Sequence, residues 1–156
     1  MPLIYKKGNL FDDKEATIFC QACNCQNNWG AGIAKQFKER FPEAFEKERK
    51  EYHWILPGST RFYHVSESDV VVLCLYTSNR YGSRRDPVEQ ILDNTRMALV
   101  GLCEEDCLVD CPEENIIASP KINSGLFGVP WERTEELIKA FVTLMGVTWH
   151  VWELED

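Results

Sequence analysis

Residues 119–131 read Ser-Pro-Lys-Ile-Asn-Ser-Gly-Leu-Phe-Gly-Val-Pro-Trp, and this stretch decides how the chain folds. The apolar residues 116–118 before it predict the end of a buried strand, and Gly125 and Gly128 allow the backbone to turn tightly. Pro130 is favoured at the first position of a helix, so a helix should follow at once. Amide groups of the loop and helix start would then point at the space above the strand end, which predicts a phosphate site. The alternative is an ordinary strand-to-helix connection.

A second loop of the same kind occurs earlier in the chain. Residues 27–34 read Asn-Asn-Trp-Gly-Ala-Gly-Ile-Ala and lie between a strand predicted at 17–24 and a helix that should end before Pro42. Gly-x-Gly alone is a weak signal of a nucleotide site. Two such loops, however, both lie at strand ends of an open α/β sheet, where ligands of this architecture bind. Together they predict a groove that holds a diphosphate.

The remaining patterns complete an α/β domain. Strand signals cover four further stretches, residues 3–6, 60–65, 70–76 and 147–154. Polar residues 77–83 are predicted to form a loop, followed by a helix that Asp86 caps and in which Pro87 takes the first position. The charged run at residues 46–51 predicts a solvated helical face. These elements predict a three-layer α/β/α sandwich with a mixed, mostly parallel central sheet, built as a single domain over residues 1–156.

The chain is acidic, with a formal net charge of −8. Extended binding to a nucleic-acid backbone depends on many Lys and Arg contacts, so it is excluded as the main activity. A small anion can still be held by backbone amides. The chain opens with no secretory signal and contains no apolar run of the length that crosses a membrane. We expect a monomer of the cytoplasm, and also of the nucleus, that does not enter membranes.

The seven cysteines include two loose clusters, Cys20, Cys23 and Cys25, and Cys103, Cys107 and Cys111. The first cluster lies on a strand predicted to be buried, and the second has neither a neighbouring His nor a Cys-x-x-Cys pair. Zinc sites typically contain a Cys-x-x-Cys pair or a nearby His. Because the second cluster has neither and the first is buried, free thiols are favoured over a metal site. We predict no metal and no cofactor.

In combination these motifs resemble the macrodomain family, which binds ADP-ribose. The resemblance covers nearly the whole chain. Within the family, the sequence is similar to the fungal ADP-ribose 1''-phosphate phosphatases. It is carried by Asn24 with residues 29–34, by residues 75–78 and by residues 122–131. It implies a macrodomain fold and a hydrolase that removes the 1''-phosphate from ADP-ribose 1''-phosphate.

The resemblance also implies roles for individual residues. Asn9 and the following Leu10 would contact adenine, with Asn9 accepting a hydrogen bond from it. Trp152 would lie beside that base or, alternatively, in the core. Asn24 would be catalytic and face the distal ribose, against which Phe127 would lie. The other implied substrate-binding residues belong to the two glycine loops and to the end of the strand at 70–76: Gly30, Ala31, Gly32, Ile33, Thr77, Ser78, Asn123, Ser124, Gly125, Leu126 and Gly128.

Hydrolysis at such a site would depend on positioning the reacting groups. Asn24 and backbone groups would hold a water against the phosphorus, while loop amides and Arg80, Arg84 or Arg85 would stabilise the developing charge. Two alternatives remain, a reader that binds ADP-ribose or ADP-ribosylated protein without turnover, and a mono-ADP-ribosyl-protein hydrolase. The reader is favoured by three departures from hydrolytic relatives, at Gln21, Ala34 and Phe127.

Overall fold

A computed structural model of the chain describes residues 3–66, 68–105, 108 and 114–154. The strands in this part of the chain are β1 (Leu3–Lys7), β2 (Ile18–Asn24), β3 (Thr60–His64), β4 (Val71–Ser78), β5 (Ile116–Ser119) and β6 (Thr148–Glu153). They form one six-stranded sheet in the order β1-β6-β5-β2-β4-β3. Every neighbouring pair is parallel except β3 with β4, which is antiparallel. The mixed, mostly parallel sheet predicted from the sequence is therefore confirmed.

Helices cover both faces of this sheet. The helices α1 (Gly32–Arg40) and α2 (Pro42–Glu51) pack on one face, where Phe37 and Ala44 join Phe19 of β2 in one buried cluster. The helices α3 (Val88–Leu102) and α4 (Trp131–Met145) pack on the other face, where Leu99 and Ile138 join a second cluster with strand residues. Successive strand side chains point to opposite faces, so uncharged strands such as β2 can be buried on both sides. The three-layer sandwich is confirmed.

Several predicted boundaries were wrong by one or two residues. Thr77 and Ser78 end β4 and are fully buried, so the strand extends beyond its apolar run into residues expected in a loop. Pro87 and Pro130 precede their helices instead of starting them, because both have extended ψ angles, 155° and 128°. Asp86 does not cap α3, since its Oδ2 accepts hydrogen bonds from the backbone N–H of Asn79 and from the side chain of Asn94.

Five cysteines within the described residues are free thiols: Cys20, Cys23, Cys25, Cys74 and Cys103. Within the described ranges, no group of three or more His, Cys, Asp or Glu side chains could hold a metal ion. Cys107 and Cys111 lie outside the described residues. Among the described helices, none has the length and apolar character needed to span a bilayer.

Candidate functional site

The loops singled out by the sequence meet along one edge of the sheet. Five strands run parallel, so their C-terminal ends open at the same edge in the order β1, β6, β5, β2 and β4. The first glycine loop follows β2 and the second follows β5, so the two loops are neighbours. Asn9 and Trp152 lie at the β1 and β6 end of this edge, and the loop at residues 79–86 lies at the β4 end. The arrangement is a row of loops above adjacent strand ends, where open α/β sheets bind ligands.

Asn24 shapes the first glycine loop. Its Oδ1 accepts hydrogen bonds from the backbone N–H groups of Gln26, at 2.9 Å, and Asn28, at 3.2 Å, and its Nδ2 donates to the carbonyl of Asn28 at 2.9 Å. The side chain is buried at the end of β2, and one N–H of its amide has no partner among these three bonds. The observed role is therefore to hold the loop in shape, and the catalytic role remains a prediction.

A buried carboxylate beneath this loop fastens it to α2. Glu48 is fully buried, and its two oxygens accept from Asn27 Nδ2 at 2.6 Å and from Trp29 Nε1 at 2.7 Å. Asn27 has a φ of 57°, in the left-handed region where an L-residue needs support. Burial raises the pKa of Glu48, although the hydrogen bonds from Trp29 and Asn27 oppose this shift. Glu48 belongs to the charged run predicted to be solvated, and this prediction was wrong because Glu48 shares a helix face with buried Ala44.

The accessible part of the first loop offers backbone donors. Gly30, Ala31 and Gly32 are exposed, and no side chain caps α1, whose N-cap is Ala31. The N–H of Gly30 is not among these donors, because it donates to Asn28 Oδ1 at 3.0 Å. The first N–H groups of a helix have no intrahelical partner, and Ile33 belongs to that turn. The start of α1 therefore presents free amides, with the positive end of the helix dipole behind them. Gly32 has a φ of 59°, a conformation that glycine adopts without strain.

The second glycine loop is held by a polar hub around Asn123. Its Oδ1 accepts from Thr77 Oγ1 of β4 at 2.8 Å, and its Nδ2 donates to Thr95 of α3 at 2.9 Å and to Thr134 of α4 at 3.4 Å. Asn123 is buried and has a φ of 68°. These bonds join three elements at the point where the loop starts. Asn123 and Thr77 thus position the loop from inside, and their predicted contact with substrate stays a prediction.

The outer part of the second loop is open. The N–H groups of Gly125, Leu126 and Phe127 donate to no acceptor within the described residues. Ser124 Oγ is buried without a partner in the same part of the chain. Phe127 is partly buried against a small cluster formed by Ile91 and Leu92 of α3 and by Val129. Gly128 has the φ of 69° expected of a tight turn, whereas Gly125 does not have a positive φ. Gly125 begins this turn, since its carbonyl accepts from the N–H of Gly128 at 3.1 Å, so both glycines belong to it and Gly128 alone of the two has a positive φ.

The two glycine loops contact each other. A Cβ atom on Gly32 would lie 3.3 Å from Cδ1 of Leu126, so the Leu126 side chain lies across the start of α1. The rest of the Leu126 side chain faces solvent, since the residue is 65% exposed. The free amides of both loops therefore belong to one cradle. Backbone donors at a helix start and in a neighbouring loop are suited to phosphate oxygens.

A cavity opens at the β1 end of the groove beside Asn9. Asn9 is exposed, and its Oδ1 accepts from the N–H of Phe11 at 2.9 Å, while Leu10 is buried. The cavity has a volume of about 250 Å³ and is lined by Asn9, Phe11, Gln36, Glu39 and Arg40. The guanidinium of Arg40 lies over the Phe11 ring. An aromatic ring and amide groups at one cavity are features that could hold a nucleobase.

Trp152 is fixed by a network that the sequence did not reveal. Its Nε1 donates to Asp13 Oδ2 at 2.8 Å, and the same oxygen lies 2.7 Å from Nδ1 of buried His150. The Trp152 ring lies close to Gly8, because a Cβ atom on Gly8 would be 3.3 Å from it. Burial acts to raise the pKa of Asp13, but hydrogen bonds from His150, Trp152 and two backbone amides hold it below the ordinary value. Asp13 and His150 are 137 residues apart, and no local pattern links them.

Ser78 holds the loop at the other end of the groove. It is fully buried, accepts from the N–H of Asp86 at 3.0 Å, and donates to the carbonyl of Arg80 at 2.5 Å. Its side chain therefore braces the loop at residues 79–86, and direct contact with a ligand stays a prediction. Gln21, which is fully buried in β2, has its Nε2 3.9 Å from Cys74 Sγ.

Cys25 directly follows β2, close to the groove. Burial, together with the nearby carboxylates of Asp86 and Glu48, raises the pKa of its thiol to about 12. A thiol with such a pKa is protonated at neutral pH, and the thiolate is the nucleophilic form. Cys25 is therefore not an activated nucleophile. The chemistry available in the groove is instead binding and orientation by amides.

Comparisons with known proteins agree with this architecture. A family model described as Macro domain matches residues 20–138, which include both glycine loops. The chain is 34% identical to the ADP-ribose 1''-phosphate phosphatase of Meyerozyma guilliermondii, over 93% of this chain and 97% of that protein. The macrodomain of Mycobacterium tuberculosis DarG has a similar fold, with a TM-score of 0.78 and 22% identity over 96% of each chain. Thermosipho africanus DarTG in complex with ADP-ribose gives a TM-score of 0.78 at 15% identity, covering 97% of this chain and 42% of that one. The chain belongs to the macro domain family.

Proposed function

We propose that the protein is an ADP-ribose-binding hydrolase that removes the 1''-phosphate from ADP-ribose 1''-phosphate. The observation that carries this proposal is the contact between the two glycine loops, which joins the free amides of Gly125, Leu126 and Phe127 to the start of α1. Such a cradle is suited to a diphosphate. The Meyerozyma guilliermondii relative, an ADP-ribose 1''-phosphate phosphatase, supports the reaction. A structure of the same fold that was solved with ADP-ribose supports the ligand.

The cavity beside Asn9 supports one direction of the ligand along the groove. With the diphosphate over the ends of β5 and β2, adenine lies toward β1 and β6, in the cavity beside Asn9 and near Trp152. Asn9 accepts a hydrogen bond from the adenine amino group with the second lone pair of its Oδ1. The distal ribose then lies toward β4, beside Asn24 and Phe127. Its 1''-phosphate therefore reaches the loop at residues 79–86.

Hydrolysis forms a bond from the water oxygen to phosphorus and breaks the bond from phosphorus to the 1''-oxygen. A proton of the water passes by way of a phosphoryl oxygen to the departing 1''-oxygen, which leaves as the hydroxyl group of ADP-ribose. Asn24 orients this water with its remaining N–H, while loop amides stabilise the charge on the phosphoryl oxygens. A covalent step through Cys25 is disfavoured, because burial and the nearby carboxylates raise the pKa of its thiol. The rate enhancement then comes from positioning and electrostatic stabilisation.

A reader that binds ADP-ribose without turnover is the second candidate. The observation in its favour is that the Asn24 side chain already makes three hydrogen bonds to its own loop. In addition, Gln21 is fully buried. A site of this kind holds a ligand well and provides few groups for proton transfer.

Two measurements on one preparation separate these functions. Phosphate release from ADP-ribose 1''-phosphate is followed over time, and binding of ADP-ribose is measured by calorimetry. Turnover that is lost in Asn24→Ala supports the hydrolase. Affinity for ADP-ribose without phosphate release would establish the reader, and absence of both would refute the ADP-ribose site itself.

A further inference from the structure

The loop at residues 79–86 is an arginine-rich segment held in a defined shape. Residues 79–85 are all exposed, yet the loop is closed at its base. The N–H of Asn79 donates to Asp86 Oδ2 at 3.0 Å, and the N–H of Arg85 donates to the carbonyl of Gly82 at 3.2 Å. Ser78 bonds to both sides of the loop, as described above. A loop tied in this way presents its side chains at fixed positions.

The charges on this loop are not neutralised. Arg80, Arg84 and Arg85 are three of the 17 Lys and Arg residues of a chain whose net charge is −8. None of them belongs to an ion pair within the described residues. The nearest acidic residue in sequence, Asp86, uses its Oδ2 to accept from Asn79 and Asn94. A local concentration of unpaired arginine in an acidic protein attracts an anion to this place.

The guanidinium of Arg85 is held in place by a hydrogen bond within the loop. Its Nη1 donates to the carbonyl of Gly82 at 3.0 Å. Its Nη2 and Nε lie 3.6 Å and 3.8 Å from the point that a Cβ atom on Gly128 would occupy. This edge of the guanidinium therefore lies beside Gly128 of the second glycine loop. That edge carries two parallel N–H groups, the geometry that binds two oxygens of one phosphate.

We propose that Arg85, assisted by the charges of Arg80 and Arg84, binds the terminal phosphate carried by the distal ribose of the ligand. This inference rests on the proposed function, because the direction of ADP-ribose in the groove brings that phosphate to the β4 end. Arg85 contacts the second glycine loop at Gly128, so it adjoins the cradle for the diphosphate. The arginine loop thereby makes the site selective for a 1''-phosphorylated ligand over ADP-ribose itself.

The test compares two ligands in matched variants. Calorimetric affinity for ADP-ribose and for ADP-ribose 1''-phosphate is measured in the parent, Arg85→Gln and Arg85→Lys, on a time scale shorter than turnover. We expect Arg85→Gln to weaken binding of the phosphorylated ligand by about tenfold, as for a lost charge-assisted hydrogen bond, and to change ADP-ribose binding by less than about threefold. Arg85→Lys should lie between the two, because it keeps the charge and loses the paired N–H edge. Arg49→Gln, an exposed arginine of α2, is the control.

Several outcomes would overturn the inference. Equal weakening of both ligands would make Arg85 a support for the diphosphate or the loop, and a parent that does not prefer the phosphorylated ligand would refute the selectivity. Absence of binding to either ligand would refute both the inference and the proposed function. A preference that depends on Arg85 without any phosphate release would uphold the inference while refuting hydrolysis.

Discussion

Glu48 offers the sharpest test of how the first glycine loop is built, through the substitution Glu48→Gln. Glutamine has nearly the same volume but only one acceptor oxygen, so it replaces only one of the two carboxylate oxygens that accept separately from Asn27 and Trp29. One donor loses a hydrogen bond to a charged group, which is worth about 1.5 to 3 kcal/mol, and faces an NH₂ group instead. In the opposite direction, the neutral side chain removes part of the cost of burying a charge, the same cost that raises the pKa of Glu48.

These opposing terms lead to a specific expectation. We expect the free energy of unfolding to fall by no more than about 2 kcal/mol, because the two effects partly cancel. Binding of ADP-ribose should fall by about tenfold or more, because Asn27 and Trp29 lie in the loop that leads into the free amides at the start of α1, and small displacements of a binding loop are costly. The loss should thus appear mainly in affinity.

Urea denaturation and calorimetric binding of ADP-ribose measure the two quantities on the same protein. Glu46→Gln is the matched control, since Glu46 is exposed on the same helix and loses the same charge. The control should bind like the parent. The reasoning is refuted if Glu48→Gln binds ADP-ribose with parental affinity, or if Glu46→Gln weakens binding as much.

Three further predictions address other parts of the site. Gly125→Val should abolish ADP-ribose binding without reducing the thermal midpoint, because a Cβ at Gly125 meets no protein atom within 4 Å; retained binding, or a large fall in the midpoint, would contradict it. Asn24→Ala should lower kcat/KM for phosphate release by about a hundredfold or more, beyond any loss of affinity caused by the missing loop bonds; equal losses would leave Asn24 a loop-shaping residue only. Asp13→Asn should destabilise the protein at pH 7, because the lowered pKa of Asp13 contributes stability that is present above its ordinary value of 3.8 and lost as the pH falls below it. Thermal unfolding of both proteins between pH 7 and pH 3 should show the difference shrinking in acid, and a constant difference would contradict it.

The predicted elements were local in origin, and this is why they could be read from the chain. The uncharged run of β2, the glycines at 30 and 32, and Gly128 each act within a few residues of their own position. Buried strands exclude charge and tight turns favour glycine whatever the rest of the chain does. The order of strands and glycine loops therefore indicated both the sandwich and the edge where a ligand would bind.

Contacts between distant parts of the chain hold the loops and bring the charged groups together. Glu48 lay in a charged run typical of a solvated helix, and its burial depends on packing against a loop 19 residues away. Arg85 reaches Gly128, and Asp13 reaches His150, across distances in sequence that no periodic pattern records. A hydrogen bond depends on where two atoms lie in space, whereas a sequence pattern records only the preferences of neighbouring residues. The patterns along the chain thus predicted the elements and the edge of the sheet where a site is proposed, and the folded chain showed which side chains line that groove and which brace the loops from inside.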